Sequence, residues 1–366
     1  MSKKILFVFA ILMIGSMLMS ACAPAAPKAE EPETAPPAVE EPVVEEPVVE
    51  EKKLLVCQIT DTGGIDDKSF NQTAWKGIED AIKGLGIEGK YLESQEVADY
   101  EKNLNAFIEE DCDLIITVGF LIADATAAAA GDYPDNKFSI VDFAYDPAIN
   151  NVVGQLFQTD EAGFLAGYAA AAVTKTGKVG TFGGLPIPTV TIFMKGFVEG
   201  VDYYNSVKGT DVVVLGYDLE DETKGLFSMD FDDQQKGREL AISLMDEGAD
   251  VIMPVAGPVG LGAAAAIQER GNAYLIGVDS DWYLTAPEYA AITLTSVMKM
   301  MDATTYQVIE SVIDGSFAGG NVIGTLENGG VKIAPFHDLD NLVPADIKAE
   351  LEQIQADIIS GKIKLK

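Results

Sequence analysis

From Leu54 onward, short apolar runs alternate with longer runs whose apolar positions recur at helical spacing. Leu54–Thr60 reads as a strand, and Phe70–Leu85 as a helix with Trp75, Ile78, Ile82 and Leu85 on one face. Ser69, followed three residues on by Gln72, predicts a capping box at the start of that helix. The series continues with a strand near Lys90–Glu93, a helix over Tyr100–Glu110, strand Leu114–Val118 and helix Ile122–Ala130. Strands Lys137–Asp142 and Val152–Gln155 follow. Repetition of strand, helix and strand predicts a parallel sheet.

Asp160–Thr174 is a helix of Ala, Gly and Tyr, small enough to pack closely on a neighbour, and after it the pattern restarts. Strands are expected at Lys178–Phe182, Asp211–Gly216, Asp250–Pro254 and Ala273–Val278, with helices at Ile192–Tyr204, Gln234–Glu247 and Gly262–Arg270. The remainder holds a strand (Ala291–Ser296), a helix (Lys299–Asp314), an apolar-alternating pair around Val322–Ile333 and a last helix (Pro344–Ile359). That is too little for a third domain. The expected fold is therefore α/β, with two Rossmann-like lobes of parallel sheet joined by several short crossings that suit a hinge. The expected division is 54–157 plus 283–315 for lobe one, and 158–282 plus 316–366 for lobe two.

The residues before Leu54 follow a different pattern. Lys3 and Lys4 precede an apolar stretch from Ile5 to Met19, then Ser20-Ala21-Cys22. This predicts an export signal over 1–21, and Met19-Ser20-Ala21-Cys22 resembles a bacterial lipobox with Cys22 as the lipid-carrying first mature residue. Residues 22–53 repeat Glu, Pro, Ala and Val; proline stiffness and like charge make this a semi-extended acidic tether. The protein is thus expected on the outer face of the cell membrane, held through its lipid. Of the formal charge of −33, the signal holds +2 and the tether −6, which leaves −29 from Leu54 onward. Such acidity argues against nucleic acid as a partner.

Two cysteines, Cys57 and Cys112, fall in the folded part. Cys57 is mid-strand and Cys112 just precedes a strand, an offset that favours two buried free thiols over a disulfide. His337 is the only histidine, and no zinc spacing exists.

Candidate chemistry gathers where strands end, because open α/β sheets bind ligands beyond the carboxyl ends of their strands. The first strand ends in Asp61-Thr-Gly-Gly-Ile-Asp66-Asp67-Lys-Ser-Phe70-Asn71. A glycine turn before a helix usually holds phosphate. Three aspartates would repel one, and would accept hydrogen bonds from hydroxyl or N–H groups. Other strand ends place Phe120, Asp142, Gly257, Asp279 and Lys299 toward a shared cleft. Gly257 opens a Gly-x-x-Gly-x-Gly loop that lacks the residues of a nucleotide-phosphate loop, so it reads as close backbone approach to a ligand. Aspartates after strands are also common helix caps, so convergence rather than any one residue marks the site. No nucleophile–base arrangement and no Gly-x-Ser-x-Gly elbow occurs, and no cofactor is implied.

Thr60 to Asn71 resembles the opening motif of the basic membrane protein family, the lipoprotein receptors of ABC importers. Asp113–Phe120, Gly163–Gly167, Met194–Gly200, Gly248–Ile252, Val255–Gly257, Gly277–Asp279 and Thr295–Lys299 are similar to the family along 54–335. The resemblance implies a type I periplasmic-binding fold and a receptor, not an enzyme. It implies a purine nucleoside ligand of the inosine, adenosine or guanosine type, delivered to ABC permease and ATPase subunits. Two aromatics would sandwich the base, matching Phe70 and Phe231, the second lying in an acidic loop that periodicity does not single out. Asp61, Asn71 and Asp142 match first-lobe contacts, and Gly257, Asp279 and Lys299 match contacts from the second lobe and hinge. Pro258 stands where members often carry a second Gly, which changes the backbone donors there. A binder of another small solute, a sugar or signal molecule, and a surface nucleoside hydrolase are the alternatives.

Overall fold

The computed structural model describes residues 52–221 and 224–366. The expected signal, Cys22 and all of the tether except Lys52 and Lys53 lie outside the described residues. The first series runs β1 (Leu55–Ile59), α1 (Phe70–Leu85), β2 (Glu88–Leu92), α2 (Asp99–Glu109), β3 (Leu114–Val118), α3 (Ala123–Asp132), β4 (Phe138–Val141) and β5 (Val152–Phe157). The second runs α4 (Thr159–Val173), β6 (Lys178–Gly183), α5 (Pro188–Lys208), β7 (Val213–Leu215), α6 (Gln234–Asp246), β8 (Val251–Val255), α7 (Val259–Arg270) and β9 (Tyr274–Asp279). A short α8 (Trp282–Thr285), then β10 (Thr293–Lys299), α9 (Met301–Ile313), β11 (Gly320–Gly324), β12 (Val331–Ile333) and α10 (Ala345–Ile359) complete the chain.

These strands form two six-stranded sheets, ordered β11-β5-β4-β3-β1-β2 and β12-β10-β9-β8-β6-β7. Neighbours pair in parallel except β10 with β12. β3, β4 and β8 are buried throughout, which explains why they read as unbroken apolar runs: helices cover both faces. The chain passes between sheets three times, at β5–α4, β10–α9 and β11–β12.

The last third of the chain corrects the expected division. β10, assigned to lobe one with 283–315, is a buried strand of the second sheet beside β9. β11, assigned to lobe two, is the edge strand of the first sheet, paired with β5. The two strands of the apolar-alternating pair belong to different sheets. Alternation reports that one face is covered, not which sheet covers it.

Two further expectations change. Cys57 and Cys112 form a disulfide, with Cα atoms 6.1 Å apart. Register along the strands misled here. Cys112 sits in the turn from α2 into β3 and enters the same buried cluster as Cys57, Leu104 and Phe107, above the face of β1. Ser69 makes no capping bond with its side chain; Asp67 caps α1 instead.

Candidate ligand-binding site

The loop between β1 and α1 is built on two carboxylates. Asp67 accepts the N–H groups of Ser69, Asn71 and Gln72 at 3.0, 2.7 and 3.1 Å, satisfying the free donors of the helix start. Asp61 accepts from Asn71 Nδ2 at 2.8 Å and from the Gly63 N–H at 3.1 Å, while Asn71 Oδ1 accepts the Asp61 N–H at 3.3 Å. Asn71 therefore fixes Asp61 from both sides. Burial pushes the Asp61 carboxyl up to about 6, against the pull of its two donors and with Asp232 and Asp142 adding to the rise.

Asp142 follows β4 and Asp279 ends β9, and both hold left-handed backbone at φ 68°. Aspartate tolerates that conformation better than most residues. Lys299, at the end of β10, lies 2.6 Å from Asp142 Oδ2 and 3.7 Å from Asp279 Oδ1. All three side chains are buried. Burial raises both carboxyls, and the nearby ammonium partly offsets it. The ammonium also lies 4.9 Å from the Phe70 ring centre and 5.1 Å from that of Phe193.

A cavity lies between these strand ends. Asp61, Phe70, Phe120, Asp142, Phe231, Gly257 and Asp279 all line it. Asn71 and Lys299 do not; they hold its carboxylates from behind. Phe231 is carried in by a loop that bonds to itself and to β6. Asp230 accepts the N–H groups of Asp232 and Asp233 at 2.7 and 3.0 Å, and the Ser228 and Met229 N–H groups reach the Gly183 and Gly184 carbonyls. The ring passes so close to Gly184 that a Cβ there would overlap it.

Four lining residues near the start of α5 escaped sequence reasoning: Ile187, Thr189, Val190 and Phe193. The predicted helix began at Ile192, whereas α5 begins at Pro188, and proline at the first helical position was the available signal. Asp67 also reaches the cavity, and Pro258 adds its ring.

The cavity thus joins four phenyl rings to buried carboxylates. Such walls suit a flat ligand whose edges carry hydrogen-bond donors. His337 stands elsewhere, stacked on Tyr283 and 2.8 Å from Asp281.

Residues 54–366 match the sequence profile of a family described as ABC transporter substrate-binding protein, PnrA-like. A Lactococcus lactis subsp. cremoris protein named ABC transporter nucleoside-binding protein BmpA is 33% identical, over 83% of this chain and 87% of its own length. Basic membrane protein A of Borreliella burgdorferi is 31% identical, with 82% and 84% covered. A solute-binding protein of an ABC transporter system from Aeropyrum pernix K1 superposes with a TM-score of 0.76 at 28% identity, covering 85% of this chain and 92% of that one. The arabinose-binding protein AraP of Geobacillus stearothermophilus shares the fold alone, with a TM-score of 0.59 at 15% identity over 80% of this chain and all of its own. The two-lobed arrangement is that of type I periplasmic binding proteins.

Proposed function

The chain belongs to the PnrA-like family of ABC transporter substrate-binding proteins, and from that premise we propose that its ligand is a purine nucleoside. A substrate-binding protein works with permease and ATPase subunits and presents a small ligand to them. The observation that carries the proposal is one cavity that combines phenyl walls with Asp61, Asp142 and Asp279 and has no lysine, arginine or histidine among its lining residues. Phe70 and Phe231 stack on the base, and Phe120 closes the wall beside them. The carboxylates accept base N–H and ribose O–H groups, and Gly257 lets the backbone approach. Asn71 and Lys299 hold those carboxylates in place. A 5′-phosphate would meet only like charge, because Lys299 is already paired with Asp142 and Asp279. The name of the Lactococcus relative, a nucleoside-binding protein, supports the nucleoside reading.

The same reading sets the protein outside the cytoplasm on a lipid at Cys22. The Cys57–Cys112 disulfide supports export, since such bonds persist in oxidising compartments. Among the described residues no helix is long and apolar enough to cross a membrane.

Titration calorimetry on protein stripped of carried-over ligand tests the proposal. Inosine, adenosine or guanosine should give saturable heat and their 5′-monophosphates none. Silence from every nucleoside would sink the reading, and recovery of free base after long incubation would make the cleft a hydrolase.

A further inference from the structure

Ser69 stands where a helix usually takes its capping side chain, yet its hydroxyl caps nothing. With Asp67 accepting the local N–H groups, the fully buried Ser69 Oγ is free to reach across the cleft. It lies 3.0 Å from the Val278 carbonyl oxygen and 3.0 Å from Asp279 Oδ2, both at the end of β9 in the second lobe. The neighbouring residues return the contact: Ser280 Oγ donates to the Lys68 carbonyl at 2.8 Å, with the Thr285 hydroxyl 2.9 Å away as its other partner.

The two polar partners of Asp279, the Lys299 ammonium and the Ser69 hydroxyl, differ in origin. Lys299 shares its sheet, so their relation survives any separation of the lobes. Ser69 comes from the other lobe, and its bond exists only where the lobes meet. The single Ser69 proton is shared between the Val278 carbonyl and Asp279 Oδ2, and through the second it biases the direction of the carboxylate's remaining lone pairs.

We propose that Ser69 and Ser280 form a reciprocal clasp that holds the lobes shut and sets Asp279 in its ligand-accepting orientation only on closure. Ser69 is then a positioning residue, acting through Asp279. The clasp rests on contacts between the lobes; its effect on ligand rests on the nucleoside reading above.

Stopped-flow fluorescence with inosine separates opening from encounter, and Trp282 is placed to report, since its Nε1 donates to the same Val278 carbonyl at 2.9 Å. In Ser69→Ala and in Ser280→Ala the dissociation rate should rise about tenfold, with the association rate within about twofold of the parent. The second variant keeps the test open if the buried Ser69 position does not tolerate change. Unchanged dissociation in a folded variant, or an equal loss in association, overturns the clasp. If inosine fails to bind the parent, the nucleoside reading falls and small-angle scattering decides the clasp by itself. The double variant should then show a larger radius of gyration than the parent, and equal radii overturn the proposal.

Discussion

Phe70 and Phe231 come from different lobes, and each puts a phenyl ring in the cavity wall. Phe70→Ala and Phe231→Ala should each weaken inosine binding by ~1–3 kcal/mol through lost stacking and lost exclusion of water. Calorimetry checks this, and unchanged affinity in both variants would mean the base is held elsewhere. Residue by residue, legibility followed chemistry at strand ends. Asp61, Asp142 and Asp279 were visible because a carboxylate after a buried strand has few places to go but the cleft. Phe231 was invisible to periodicity, because its loop takes its shape from Asp230 and from the β6 backbone rather than from a repeating pattern. The resemblance gives Asn71 as a ligand contact, whereas its side chain bonds Asp61 from behind the cavity wall, an arrangement that depends on how the turn folds back.

Among the elements, α4 and α5 show how strongly small residues can dictate packing. A Cβ on Gly167 would overlap the Phe197 carbonyl, and one on Gly200 would overlap the Phe164 carbonyl, so the helices meet backbone to backbone. Gly167→Ala should therefore destabilise the fold by ~3 kcal/mol, as overpacking forces the helices apart. Gly131→Ala is the control: it lies in α3 with open space around it, and should be neutral or stabilising by ~0.5–1 kcal/mol. Chemical denaturation reads both; equal midpoints for the two variants would contradict the close-packed interface. The alternating strand–helix pattern was readable because each element covers a face of its own sheet. The assignment of β10 and β11 was not, since each is decided by a strand partner distant in sequence, whereas the start of α5 and the cap of α1 rest on local residues, Pro188 and Asp67.

For the whole molecule, charge makes stability depend on pH. Burial lifts Asp61 from 3.8 to about 6, so between those values the native protein binds a proton that the unfolded chain does not. That contribution is complete below about 3.8 and is lost as pH rises through about 6. Self-repulsion of the acidic chain acts in the same direction. The melting midpoint should thus climb as pH falls from 7.5 toward 5.5, and Asp61→Asn should flatten that climb. Coincident profiles for parent and variant would remove Asp61 as the cause.

The triple crossing between sheets also governs how the chain can be made and recombined. The first sheet lacks its outer strand until residues 320–324 have been synthesised, long after the strand that β11 joins. A ribosome releases most of the second lobe before the first is whole. No single cut frees a complete half of this protein, and a chimaera that exchanges one lobe with a relative must trade separate stretches of gene, not one.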